Sequence, residues 1–141
     1  MALLTEIANY LASTGIGTVG STIFISMLPT EAADQCVVLT EYGGMGTEKT
    51  VAMGVGGAKV EYPRFQLMVR SNVLTTTGYY SAAKTLAQNA FNKLDGFVGT
   101  MSGGTYFWIA GLQNPFSIGL DEGNERMMIV SNFQAARQPG A

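Results

Sequence analysis

Apolar residues recur at spacings of three and four in two segments of the chain. In residues 2–14 the recurring positions are Leu3, Leu4, Ile7, Ala8 and Leu11. In residues 79–95 they are Ala83, Leu86, Ala87, Ala90, Phe91 and Leu94. This spacing puts the apolar side chains on one face of an α-helix. We therefore predict two amphipathic helices, the first ended by Gly15 and the second by Gly96.

Other segments are rich in β-branched and aromatic residues or alternate between apolar and polar positions, as strands do. Strands are predicted at residues 22–28, 35–41, 64–71, 105–112 and 126–136, with a short extended piece at 115–120. Pro63 is expected to open the third of these strands, and Phe65, Leu67 and Val69 to form its buried face. The order of elements predicts an α+β fold, a largely antiparallel β-sheet flanked by two main helices. A single domain over residues 1–141 is expected.

Residues 43–60 differ from the rest because two glycine clusters bracket them. Glycine raises the entropy cost of order and supplies no side chain for packing. We therefore predict a long hairpin or glycine-rich arm that projects from the body. Its low charge and exposed backbone suit addition to a neighbour's sheet edge, and such contacts repeated head to tail close into a ring. The candidate interface residues are Gly44, Met45, Glu48, Lys49, Val51, Met53, Val55 and Lys59.

The composition argues against several kinds of chemistry. Charged residues make up 13% of the chain, below the usual ~25%, which suits a surface covered by neighbours. The scattered basic residues and the net charge of −2 give no basic stripe for nucleic acid. The absence of histidine removes the commonest general base and most zinc sites. We predict no catalytic residue, metal site or cofactor, and we expect Cys36 to be a small buried hydrophobe.

One segment comes close to a phosphate-binding loop. Residues 44–50 end in Lys49-Thr50, as such loops do. Glu48 occupies the position of the last glycine, where a carboxylate would repel phosphate. The pattern also lacks a following helix whose N-terminus would hold the anion. A nucleotide-binding module is therefore kept only as an alternative.

Two further clusters have a structural explanation. An acidic cluster consists of Asp121, Glu122 and Glu125. Because it surrounds a glycine in a polar stretch, we expect a solvated turn rather than a metal site. An aromatic run consists of Tyr106, Phe107 and Trp108. Without basic partners, we expect this run to serve core packing or a protein interface.

The start of the chain has no basic region before its first glutamate, Glu6, which is not typical of a signal peptide. No apolar run approaches the ~20 residues of a membrane span. A single cysteine implies no oxidising compartment. A cytosolic-type protein with no membrane partner is expected.

Four stretches, taken in order, resemble a known family. They are the N-terminal helix with an extended segment ending near Leu28-Pro29, the strand at 62–71, the helix at 80–94, and the closing section at 114–135. In this arrangement the chain resembles the tail terminator proteins of long-tailed bacteriophages, also known as tail-completion or minor capsid proteins. The arm at 43–60 is longer and less charged than that family leads us to expect.

The resemblance implies a structural, non-enzymatic protein. It implies a homo-oligomeric ring, usually a hexamer, on the head-proximal end of the tail tube. Such a ring would end tube polymerisation and join the tail to the neck and head. The implied partners are copies of the same chain, the tail tube protein and a head-completion protein (a stopper or connector). The implied location is the tail and neck of a virion, assembled in the host cytoplasm.

Three alternatives stay open. The first is another ring-forming neck or tail component, such as a stopper or the tail-tube protein itself. The second is the nucleotide-binding module that would use Lys49-Thr50. The third is a monomeric α+β domain that binds a ligand.

Overall fold

The computed structural model describes residues 2–30, 32–50 and 58–138. Its elements in chain order are α1 (Leu3–Ser13), β1 (Ile23–Ile25), β2 (Cys36–Thr50), β3 (Ala58–Val73), α2 (Tyr79–Leu94), β4 (Gly99–Met101), β5 (Gly104–Gly111), β6 (Phe116–Leu120) and β7 (Arg126–Gln138). The predicted α+β fold is confirmed, since the described strands form one mostly antiparallel sheet that two helices accompany. Both helices lie within about a residue of their predicted bounds.

The sheet has the strand order β1-β2-β3-β7-β5-β4. β6 also pairs with β7, so that β5 and β6 run along different halves of the same strand. Neighbouring strands are antiparallel except β1 and β2, which are parallel. β3 and β7 therefore occupy the middle of the sheet, and β2 lies toward one side with β6 on the other.

Some strand predictions were wrong in their bounds. The strand expected at 22–28 ends at Ile25, because Ser26 adopts a positive φ of 66° and turns the chain. Pro63 lies inside β3 instead of opening it. The register with β2 shifts between Tyr42 and Met45, opposite this proline, and an irregular site is where a central strand tolerates a missing N–H. The three-residue β4 was not predicted, because it is too short to show a pattern.

The helices cover one face of the sheet and form the main core with it. As predicted, Phe65, Leu67 and Val69 are fully buried on this face. Phe133 of β7 stacks on Phe65 with ring centroids 5.0 Å apart, and Phe91 of α2 approaches Phe133 at 5.4 Å. A buried side chain of this kind contributes about 1.5–3 kcal/mol through burial alone. The alternating pattern of β3 thus sets which face of the sheet receives the helices.

A second, smaller apolar cluster is built around Phe24, Cys36 and Val38. Leu28 and Ala32, from the segment between β1 and β2, pack against it. Cys36 is fully buried there, as expected, and burial raises the pKa of its thiol. The described residues of this segment, 26–30 and 32–34, form a strap over the cluster.

Two arginines hold the strap. Arg70 donates from Nε to the backbone oxygen of Asp34 at 3.0 Å and from a terminal nitrogen to that of Ala33 at 2.7 Å. Arg126 binds the Asp34 carboxylate through Nε at 3.2 Å and through a terminal nitrogen at 2.5 Å. The hydrogen bond to Asp34 is the main reason that the pKa of Arg126 lies above its ordinary value. The strap is therefore tied to β3 through Ala33 and Asp34 and to β7 through Asp34.

Glu6 of α1 is a charged residue inside the main core, where its side chain is 0% exposed. Its Oε1 accepts a hydrogen bond from Arg137 Nε at 3.0 Å and another from the Tyr106 hydroxyl at 2.7 Å. Arg137 extends the network to Glu61 Oε2 at 2.9 Å. A Cβ on Gly104 would lie 2.6 Å from the Glu6 carboxylate, so that this position requires glycine. The network joins α1 to β3, β5 and β7.

The network also changes the acidity of its members. Burial is the largest cause that raises the pKa of Tyr106, and the hydrogen bond to Glu6 adds to it. Burial alone would lower the pKa of Arg137. The hydrogen bond to Glu6 and the neighbouring charges outweigh it, and the pKa of Arg137 lies above the ordinary value. Both groups therefore keep their protons at any physiological pH.

Candidate assembly surfaces

The predicted arm corresponds to the far end of the β2–β3 hairpin. Its backbone is paired in an antiparallel ladder as far as Thr50 and Ala58. β7 flanks β3 only from Glu61 onward. The last described part of the hairpin therefore extends past the body of the sheet on two strands alone.

The glycines of the arm lie where the ladder is irregular. The register between β2 and β3 shifts once between Tyr42 and Met45 and again between Met45 and Glu48. Each shift places an additional residue on β2, and such bulges bend and twist a strand. Gly43, Gly44 and Gly46 fall in these two intervals. The glycines of β2 thus lie at the bulges, where the hairpin bends.

The eight candidate interface residues have different positions relative to the described chain. On β2 lie Gly44, Met45, Glu48 and Lys49. On β3 lies Lys59. Outside the described residues are Val51, Met53 and Val55. The hairpin brings the five described positions onto one two-stranded element, and their role in an interface stays a prediction.

The region around β6 exposes a group of large apolar side chains. Within nine residues it carries Leu112, Phe116, Ile118 and Leu120, whose exposed fractions are 44, 40, 50 and 40%. Every residue of β6 is exposed. Grouped exposed apolar side chains of this kind commonly mark interaction sites. We call residues 112–120 the β6 edge.

Sequence reasoning gave the β6 edge only as a short extended piece. The available signal was the alternation in Phe-Ser-Ile-Gly-Leu together with the absence of charge from residue 112 to residue 120. Alternation alone could not show that the apolar side would stay uncovered, because this depends on where the helices pack. Phe107 and Trp108 of β5 are likewise exposed, whereas Tyr106 is buried. A register shift between Tyr106 and Trp108 separates these neighbours, so the aromatic run serves both core and surface.

The sheet face opposite the helices carries a polar area beside the strap. Thr40, Tyr42, Gln66 and Asn132 line a shallow hollow there. Asn132 donates to Gln113 at 2.7 Å and accepts from Gln66 at 3.4 Å. Burial raises the pKa of the Tyr42 hydroxyl. The side-chain amides of this hollow are thus bonded to one another.

The phosphate-loop alternative gains no support from the backbone. Lys49 and Thr50 lie in extended β2, where they pair with Lys59 and Ala58. A phosphate-binding loop needs this Lys-Thr pair at the start of a helix, whose N–H groups hold the anion.

The acidic cluster forms a polar turn that is stabilised by its own hydrogen bonds. Asp121 Oδ1 accepts the backbone N–H groups of Glu125 at 3.0 Å and Arg126 at 3.2 Å. The hydrogen bond from Glu125 is the main reason that the pKa of Asp121 is lowered. Arg126 also lies 3.6 Å from a Glu125 carboxylate oxygen and 3.8 Å from Asp121 Oδ2. In the described ranges, no group of three or more acidic or cysteine side chains is placed to hold a metal ion.

The described part of the chain has no helix that is both long and apolar enough to cross a membrane.

Comparison with known proteins defines the class. The profile of the family described as bacteriophage tail terminator protein matches residues 10–139. The chain belongs to this family, and it is therefore a structural tail protein of a virion. The resemblance inferred from the four sequence stretches is confirmed.

A solved structure shares the fold. A chain described as "Virion of native gene transfer agent (GTA) particle" superposes with a TM-score of 0.67 at 15% sequence identity, covering 98% of this chain and 96% of that chain. At this identity the likeness concerns the fold alone. No match is found among curated proteins.

Proposed function

We propose that this protein forms a homo-oligomeric ring, with six subunits as the expected number, that caps the head-proximal end of a tail tube. The ring ends tube polymerisation and joins the tail to the neck. Its partners are copies of itself, the tail tube protein and a head-completion protein. The observation that carries the proposal is the family match over residues 10–139.

The distribution of surface features supports this role. A cap needs two unlike faces, one for the last ring of the tube and one for the neck, and contacts between unlike surfaces give a ring when the rotation closes. The arm and the β6 edge are two such unlike surfaces on one chain. The β6 edge carries no charged residue, which suits burial against other proteins.

A role without catalysis agrees with the chemistry of the described residues. The buried charges are engaged in the Glu6 network, and the acidic turn is engaged with Arg126 and the backbone. We therefore propose that the protein acts through assembly alone.

Deleting residues 44–57 tests the arm. The deletion leaves the pair Tyr42 and Arg64 as the last regular rung of the hairpin, so the body is expected to fold. Size-exclusion chromatography with light scattering is expected to give rings for the wild type and folded monomers for the deletion. Substituting serine for Thr85, an exposed position on α2, provides a control that should leave rings intact. Intact rings in the deletion variant would refute the role of the arm.

The tail-tube alternative makes a different prediction for the pure protein. A tube protein polymerises without limit, so negative-stain images would show filaments. The cap proposed here gives closed rings without filaments, because the two faces of the ring are not complementary to each other.

A further inference from the structure

The sheet has an open backbone edge on each side of its central strands. Among the described residues, β6 pairs only with β7. β1 flanks β2 only at Val37–Leu39, so the outer edge of β2 is open from Thr40 onward. Since the strand order runs β2, β3, β7, β6 across the sheet, the two open edges lie on opposite sides of it.

Both edges carry little charge and no covering strand among the described residues. Proteins guard exposed edges with charged residues, proline, bulges, short strands or a covering element, and of these β6 has its short length and one bulge, between Ser117 and Gly119. The β6 edge has no charged residue, and its one proline, Pro115, precedes the strand. The regular part of the β2 edge, Thr40 to Gly43, is exposed and contains one charge, Glu41. Edges with so little charge and no covering element are suited to the addition of another strand.

The strand directions fix how two copies would meet. β2 is antiparallel to β3, β3 to β7, and β7 to β6, so β6 runs opposite to β2. When one subunit is rotated about a ring axis beside another, its β2 therefore meets the neighbour's β6 in antiparallel orientation. We infer that the β6 edge of each subunit docks on the β2 edge of the next subunit, and that this strand pair joins neighbours in the ring together with the arm.

A second copy of the chain fits these edges better than a strand from another protein. A head-to-tail contact uses both open edges of every subunit and leaves neither exposed once the ring closes. A strand from the tube protein would satisfy one edge and leave the other open around the whole ring. The bulged hairpin end, beyond Tyr42, then remains available to bend away from the strand pair.

This inference rests on the proposed ring, and cysteine pairing tests it within the full chain. Tyr42 and Ile118 are both exposed, whereas the native Cys36 is fully buried. The double variant Tyr42→Cys/Ile118→Cys is expected to form covalent oligomers under mild oxidation, on gels run without reductant. The matched control is Tyr42→Cys/Thr85→Cys, since Thr85 is exposed on α2 and lies in neither edge strand. The control should cross-link only to the background level.

The second measurement is the strength of self-association after a charge is introduced at the contact. Ile118→Asp is expected to weaken self-association about tenfold or more, because the carboxylate would be buried against an apolar edge. Its melting temperature should stay near that of the wild type, since Ile118 is half exposed in the single chain. Thr85→Asp should leave association unchanged.

The outcomes separate the contact from the ring itself. Rings that persist in Ile118→Asp, with cross-linking no better than the control, would overturn the strand pairing and leave the proposed cap standing. A wild-type chain that stays monomeric with and without tail tubes would overturn the ring, and this contact with it.

Discussion

Removing one partner of the buried pair between Glu6 and Arg137 should be the most damaging polar substitution in this chain. In Arg137→Met, the Glu6 carboxylate would stay in the core, with the Tyr106 hydroxyl as its remaining described hydrogen-bond donor. Its Oε2 accepts no hydrogen bond in the described structure. Breaking a buried ion pair from one side typically costs about 3–5 kcal/mol.

That cost is large relative to the whole stability of a domain. Folded domains are stable by about 5–15 kcal/mol, so Arg137→Met is expected to remove about a fifth of the total or more. The loss of the contact with Glu61 should add little, because the Glu61 side chain is 40% exposed. Urea unfolding followed by circular dichroism measures the effect as a lower midpoint at an unchanged slope.

The double variant Glu6→Leu/Arg137→Met completes the test. Replacing both charges removes the unpaired carboxylate, and apolar replacements of buried pairs are often neutral or stabilising. We expect the double variant to recover most of the stability lost in Arg137→Met. A loss below about 1 kcal/mol in Arg137→Met, within the range of an exposed pair, would refute the reasoning. A double variant as unstable as the single one would refute it as well.

Three further predictions follow from local geometry. Asp34→Ala removes the carboxylate that binds Arg126 but keeps the backbone bonds to Arg70, so it should loosen the strap and let the buried Cys36 react faster with a thiol reagent while the far-ultraviolet circular dichroism stays unchanged; equal reaction rates would contradict this. Asp121 has a lowered pKa when folded, so its contribution to stability is present above its ordinary pKa of 3.8 and is lost as the pH falls from there through the folded-state pKa. The free energy of unfolding, measured against pH, should show this loss for the wild type and not for Asp121→Asn. Gly111→Ala places a Cβ 2.3 Å from the ring of Phe91 on α2 and should lower the free energy of unfolding in urea by about 1–3 kcal/mol. The control Gly123→Ala, whose nearest contact is at 3.8 Å, should leave it nearly unchanged.

The sequence predicts those parts of the fold whose causes are local. The helix at 79–95 is seen at Tyr79–Leu94 because its apolar spacing and the glycine after it act within one element. The burial of Phe65 on β3 follows from alternation in the same way. Ser26 shows the limit, since its positive φ ended a strand that its neighbours favour.

Features that depend on distant partners could not be predicted. Glu6 stands on a helix whose pattern gives no reason for a buried charge, and its partner Arg137 is 131 residues away. The apolar residues of the β6 edge resemble core residues in the sequence. They are exposed because the helices cover a different part of the sheet, which only the tertiary arrangement decides. The hairpin of the arm could be predicted because its glycines are a local signal. The surface on a partner that would receive the arm could not be predicted.

The central claim is that the chain forms a ring that caps a tail tube. The most direct measurement is electron microscopy of tail-tube protein polymerised with and without the purified chain. Tubes polymerised with the chain should carry a closed ring at one end and stop growing there. Tubes that grow to the same lengths with bare ends, or filaments made of this chain alone, would contradict it.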